Sequence, residues 1–369
     1  MKPLEQCMAF VLCMWTMDLS AQCVAPFVTA MDRSMLFVDG RFMEVDARPP
    51  MTMQVQSDGL FFTDHAGQLC RFGLEARAVE VVQEHPADGL QASGDRVAWR
   101  MGDSLWTLRD DRAHLLATGV QRFHVSDSLI VFTDSIEHEL AASWKGRRIP
   151  LASVTQGSER PQWTQGANTV TWYDRGRRTL FYMVHGQVEA LADSCDVGIA
   201  VNGKDVVAYW DDAHQEFMGR KGAESVRLSG MKPVNAQAGD GLVAFVDGTL
   251  KLKAWRGGDV VHLTDSMPSQ YWVRDRSLLY LWAGRLMLWT DDGPVAVEDL
   301  VPEQWQAVGD RVVYLDINRE LRSIRVDGER ERLSREPGIS AFTLHGEAVV
   351  FPAPSGGTVV LCRGRRHTY

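Results

Sequence analysis

Six aspartates recur in one setting. Asp64, Asp134, Asp174, Asp211, Asp247 and Asp316 each close a short run of apolar, aromatic or β-branched residues, as in Leu60-Phe-Phe-Thr-Asp64 and Val243-Ala-Phe-Val-Asp247. Asp39 ends a similar run that begins at Met35. Carboxylates repeated on one face of a protein would make it acidic and draw in a cationic partner. Aspartate also suits tight turns, because its side chain bonds its own backbone two residues on. The turn role is the simpler account, and the acidic face is the functional alternative.

Other residue types with chemical potential do not assemble into a motif. Of twelve tryptophans, eleven lie beyond residue 25, and aromatic faces can stack on sugar rings. Nearly all of them fall in register with Met, Leu and Phe of other segments, which marks them as core. The ten histidines are scattered, and His124, His185, His262 and His345 fall in expected strands of separate units. No H-E-x-x-H, no G-x-S-x-G and no glycine-rich phosphate loop occurs. Asp193 to Gly198 lacks the alternating oxygen ligands of a calcium loop. Ser93 to Trp99 lacks the glycine of a sialidase aspartate box, and its tryptophan comes one residue early. No cofactor, metal site or catalytic residue is expected from these patterns.

The elements that must position these residues are repeats. Runs beginning at Leu60, Val97, Ile130, Val170, Val207, Val243, Leu279, Val312 and Val349 are spaced 33 to 40 residues apart. Seven residues before each stands an apolar residue: Met53, Leu90, Phe123, Trp163, Ala200, Ala236, Trp272, Trp305 and Phe342. About 21 residues after eight of them stands Val81 or a leucine. Residues 302 to 335 read as four short strands, turning at Gly309-Asp310, Asp316-Ile-Asn318 and Asp327-Gly328. Asp-Gly between extended runs is a strong hairpin signal. Strands this short bury their faces only by stacking, so the expected fold is all-β, a single β-propeller of four-stranded antiparallel blades. Nine repeats are counted, with eight or ten also compatible.

The ends differ. Lys2, an apolar run from Cys7 to Trp15 and small residues near Ala21 read as an export leader over residues 1–25, cut after Ala21, Gln22 or Ala25. The propeller is then expected over 26–369, periplasmic or extracellular, with 26–49 supplying the strand that the last repeat lacks and so closing the ring. That arrangement would bring Cys23 near Cys362. The basic residues Arg363, Arg365, Arg366 and His367 read as a solvated tail. The chain carries a net charge of −9; without residues 1–21 it keeps 38 basic against 46 acidic residues, net −8. That balance gives no footprint for nucleic acid. No segment after the leader reaches the roughly 18 apolar residues of a membrane span.

The repeats resemble those of TolB-type, WD40-like propellers of bacterial envelopes. Trp163-Thr-Gln-Gly166 and Trp272-Val-Arg-Asp275 are loose versions of their W-S-P-D-G pattern, and His262-Leu-Thr264, Arg227-Leu-Ser229 and Arg332-Leu-Ser334 match the unit's ending. The resemblance covers residues 50 to 369, and it implies a fold and a compartment but no site. Three functions follow as expectations: a non-catalytic, monomeric binding or scaffold propeller for a protein, peptide or glycan; a propeller enzyme such as a glycan lyase or hydrolase; or a surface structural or adhesion component.

Overall fold

The computed structural model describes residues 23–56, 59–153, 162–193 and 195–369. Apart from its last three residues, the expected leader lies outside the described residues. Every regular element among the described residues is a β-strand, and no described helix is long and apolar enough to cross a membrane. The strands form ten sheets. Blade 1 has three described strands: β1 (Val24–Val28), β2 (Ser34–Val38) and β3 (Arg41–Asp46). Blade 2 has four: β4 (Thr52–Val55), β5 (Gly59–Thr63), β6 (Leu69–Gly73) and β7 (Ala78–Gln83). Blades 3 to 10 repeat the four-stranded meander over 88–117, 120–153, 163–193, 195–229, 235–262, 271–296, 305–332 and 343–368.

Burial explains the repeat column by column. The second strand of each unit is buried on both faces, as in β5, because a sheet lies against each side of it. Only a run such as Leu60-Phe-Phe-Thr, apolar at consecutive positions, suits that place. The fourth strand is exposed, as in β7, and forms the outer rim. First strands of neighbouring blades lie against one another around the axis. A parallel bridge between Lys204 and Asp240 shows that these inner strands share a direction. The described second-to-third turns and blade-to-blade links therefore emerge at one end of the ring. The described first-to-second turns emerge at the other.

The ring is closed. Ten buried clusters sit at the ten junctions, each combining residues of two adjacent blades. At the junction of blades 6 and 7, Phe217 meets Phe245 edge-on at 5.1 Å between centroids, beside Trp255. Truncating such a phenylalanine to alanine costs about 3–5 kcal/mol. The final junction joins blade 10 to blade 1. There Cys23 and Cys362 form a disulfide with their Cα atoms 6.3 Å apart, and Phe27 and Phe42 pack on the Tyr369 ring.

Closure differs from the expected form. Blade 10 supplies its own fourth strand, Arg365–Thr368, which pairs with Thr358–Cys362. The basic run read as a solvated tail is this outer strand, whose place on the rim suits arginine. The early segment does not complete blade 10; it is a blade of its own. Its strands correspond to the second, third and fourth of other blades. The register shift at Ser34/Met35 between β2 and β3 matches the shift at Leu69/Cys70 between β6 and β7, and β1 packs against the second strand of blade 10. No described residue pairs with the axis-facing edge of β1. Pro26 lies on that edge, at a position not hydrogen-bonded to β2, so its missing N–H costs the ladder nothing.

Candidate functional site

The six aspartates all close second strands, at the same end of the ring. Each is bound into its own turn. Asp64 Oδ1 accepts the Ala66 and Gln68 amides at 2.9 and 2.8 Å. Asp174 accepts the Arg177 amide at 3.1 Å. Asp211 accepts the Ala213 and His214 amides and meets His214 Nδ1 at 2.8 Å, which raises the pKa of His214. Asp316 accepts the Asn318 and Glu320 amides and pairs with Arg322 Nε at 2.8 Å. Asp134 accepts the Ile136 and Glu137 amides and pairs with Arg148 at 2.9 Å. Asp247 accepts from Thr249 and Lys251 and meets Lys253 Nζ at 2.7 Å. Burial alone would raise both of the last two carboxyls. The amides and cations outweigh it, holding Asp134 below its usual value and Asp247 down to about 2. Asp39 does not belong with the set. β2 is the third strand of its blade, so Asp39 turns at the opposite end, where Oδ1 accepts the Cys23 amide at 2.9 Å.

The tryptophans fill junctions. Trp99, Trp172 and Trp255 are fully buried, and none of the eleven is an exposed platform. The four strand-region histidines stay on separate blades. Among the described residues no group of three His, Cys, Asp or Glu could hold a metal.

Two features that sequence reasoning missed line the axis. The first is a set of amide clamps between inner strands. Gln237 Nε2 donates to the Tyr271 carbonyl while its Oε1 accepts the Val273 amide, both at 3.0 Å. Gln91 makes the same pair of bonds to Phe123 and Val125. Gln306 does so to Phe342 and Leu344. The second is a seam of turns. Lys204 donates its amide to Gly239 O at 2.9 Å, and Asp240 donates its own to Asp275 O at 2.7 Å. A Cβ on Gly203 would lie 1.8 Å from Gly239 O, and one on Gly166 would lie 2.1 Å from Gly203 O. Ten splayed inner strands leave gaps that these side chains and turns bridge. The signals were present: glutamine recurs six residues before four of the nine run starts, and Gly166, Gly203 and Gly239 each stand four residues before one.

The seam surrounds a polar cavity of about 760 Å³ at the first-to-second-turn end, reached by turns from blades 3 to 9. Asp127, Lys204, Asp240, Arg274 and Asp275 line it. Two of its carboxylates hold the wall itself: Asp127 takes the Ser93 hydroxyl at 2.7 Å, and Asp275 takes the Gly309 amide at 2.7 Å.

At the opposite end, exposed apolar side chains stand among the charged turn residues. Among the described residues, the six most exposed large apolar ones, Met31, Met51, Ile136, Val234, Leu300 and Ile317, are 53–81% exposed. All six stand in second-to-third turns or blade-to-blade links. Leu250 and Met267 join them in blade 7 and in the link to blade 8. One part of this face is concave: Leu300, Val301, Pro302 and Ile317 line a pocket of about 420 Å³ between the blade 8–9 link and the turn of blade 9.

The model of the 10-bladed beta propeller domain family matches residues 18–367. No curated protein matches the chain in sequence. Among solved structures, the computationally designed Ika8 protein is similar at 12% identity, covering 75% of this chain and 96% of its own, with a TM-score of 0.35. The tricorn protease is similar at 9% identity, covering 92% of this chain and 46% of that one, with a TM-score of 0.34. PorZ of Porphyromonas gingivalis, a bacterial surface component of the type-IX secretion system, is similar at 10% identity, with coverage of 95% and 60% and a TM-score of 0.30.

Proposed function

The chain belongs to the 10-bladed beta propeller domain family, and from that premise we propose that it is a non-catalytic binding platform, whose partner is a protein docked on the end that carries the second-to-third turns. One observation carries this reading: among the described residues, the six most exposed large apolar side chains all stand in turns and links of that end. Turn tips need no apolar residue for folding, and exposed apolar side chains that recur at one end fit an interaction surface. Methionines among them suit a surface that adapts to its partner. A peptide is the same chemistry on a smaller scale. A glycan is less well served, because no tryptophan is exposed there.

The six turn aspartates serve this platform by holding its turns in place. Export of the chain fits the same reading. The buried Cys23–Cys362 disulfide favours an oxidising compartment, and the TolB-type resemblance favours a bacterial envelope. Cys23, Val24 and Ala25 belong to the folded ring, so a cut after Ala21 or Gln22 keeps the ring whole, whereas a cut after Ala25 removes half of the disulfide.

The test is affinity capture with three forms of the protein. These are the native chain, a face variant carrying Ile136→Glu and Met267→Glu, and a rim variant carrying Val81→Glu and Leu115→Glu. A protein retained by the native and rim forms and lost from the face form supports the platform. Equal retention by all three, or none by any, removes it.

A further inference from the structure

We infer that the pocket beside Leu300 and Ile317 is an anchor site for a single apolar side chain of a protein partner, flanked in the partner's sequence by lysine or arginine; the inference rests on the platform reading above. The pocket is built from two segments that are fixed to one another. Arg319 of the blade 9 turn reaches Glu303 of the link at 2.6 Å. Behind them Tyr314 donates its hydroxyl to Glu298 at 3.1 Å. Arg330 donates to the Val297 carbonyl at 2.9 Å. The walls are therefore set before anything binds, which lowers the ordering cost of binding. The volume of about 420 Å³ lies within the ~300–1,000 Å³ of small-ligand clefts and suits one large side chain better than a folded element.

Charge decides what flanks that side chain. Four carboxylates and one guanidinium line the pocket. Asp316 is answered by Arg322 and Glu303 by Arg319. Glu298 accepts the Tyr314 hydroxyl and shares the Arg322 charge with Asp316. Asp299 is 93% exposed and meets Arg285 no closer than 3.9 Å. An apolar floor with an acidic rim rejects a ligand with acidic flanks and steers one with basic flanks, through like-charge and opposite-charge terms. Two rim charges in water are screened beyond about 8 Å at physiological salt, so the flanking cations must sit within a residue or two of the anchor.

The probe is a set of fluorescent twelve-residue peptides with a central Trp, Leu or Met and Lys/Arg flanks. One matched set carries Asp/Glu flanks, and another carries a central Ser. Binding to the full chain is read by anisotropy at low and physiological salt. The expected result is a preference of about tenfold or more for the basic, apolar set over both others. E298Q/D299N should reduce the flank preference to under threefold, and L300S/I317S should abolish the preference for an apolar centre. Asp299, Leu300 and Ile317 are exposed, Glu298 is half-buried against Tyr314, and a melting curve for each variant separates lost binding from lost fold. No preference in the native chain, or a preference untouched by both variants, overturns the anchor site. If face-dependent capture succeeds while the peptides show no preference, the anchor fails and the platform stands. If the peptides behave as expected and capture shows no face dependence, the platform fails and only the local chemistry of the pocket remains.

Discussion

Cys23 and Cys362 are disulfide-bonded across 339 residues of sequence, at the one junction of the ring that no covalent backbone link crosses directly. Every other junction joins blades consecutive in the chain. This one joins blade 10 to blade 1, and its apolar cluster includes both cysteines together with Ala25, Phe37, Val350 and Val360.

Reduction, or Cys23→Ser, should therefore loosen the closure first. A loop this long loses much of its unfolded-state entropy when cross-linked, and loss of such a bond typically costs about 2–5 kcal/mol. The expected result is a lower melting temperature in reductant for the native chain and no effect of reductant on Cys23→Ser. Cys70 does not substitute as a partner: it is buried, and burial together with Asp64 and Asp46 pushes its thiol up to about 11. A native chain that melts identically with and without reductant would show that packing alone closes the ring.

The amide clamps predict a local effect with a precise address. Gln237→Ala removes two hydrogen bonds and leaves the Tyr271 carbonyl and the Val273 amide without protein partners. Buried groups left in that state cost about 1–3 kcal/mol each, less where water reaches them. Amide hydrogen exchange should accelerate at Val273, and much less at Val97, which lies away from the clamp in blade 3. Unchanged protection at Val273 would mean that the inner strands hold each other without the glutamine.

The ring was legible because its second strands are buried on both faces, so each left an apolar run that survives variation elsewhere in the unit. Blade 1 was harder to see. Its second strand begins at Val24, 36 residues before Leu60 and within the repeat spacing. Val24 and Ala25 fell inside the expected leader over residues 1–25, which hid the start of this strand. The turn role of Asp64 and its equivalents followed from residue type alone. The glycine seam did not, because the clash that requires Gly203 comes from the carbonyl of a blade 36 residues away. The apolar face is equally silent in sequence: Ile136, Leu300 and Ile317 look like any other aliphatic residues until the topology brings their turns to one end.

The seam gives the sharpest contrast between two glycines. At Gly203 an alanine Cβ would lie 1.8 Å from a backbone carbonyl of the next blade, which cannot move without shifting that blade. At Gly222 the same substitution meets nothing within 4 Å, and only the left-handed backbone, φ +59°, resists it. Gly222→Ala should cost about 1–2 kcal/mol. Gly203→Ala should cost more than 3 kcal/mol or prevent folding, the result expected where overpacking meets rigid backbone. Chemical denaturation of the two variants, or soluble yield where one does not fold, decides this. Equal losses would show that the seam is compliant.

Asp247 contributes to the loss of stability in acid. Its side chain is 1% exposed and faces Lys253, itself 14% exposed, at 2.7 Å. The folded carboxyl is held down to about 2, against 3.8 for the ordinary group. A depressed pKa means that the unfolded state takes up the proton first as pH falls. The contribution is therefore complete above about pH 5, shrinks as pH drops through 3.8, and is gone once pH falls below about 2. The shift corresponds to roughly 2 kcal/mol at neutral pH. Asp134 is shifted in the same direction and adds to the same acid-side loss. Asp247→Ala should cost more than protonation does, about 3 kcal/mol, because Lys253 is left buried without its counter-charge. Asp64→Ala, which removes two turn bonds and no cation contact, should cost about 1 kcal/mol. Urea titrations at pH 7 and pH 3 test both statements. The native chain should lose stability between the two pH values by more than Asp247→Ala does, and equal losses would place the acid-sensitive group elsewhere.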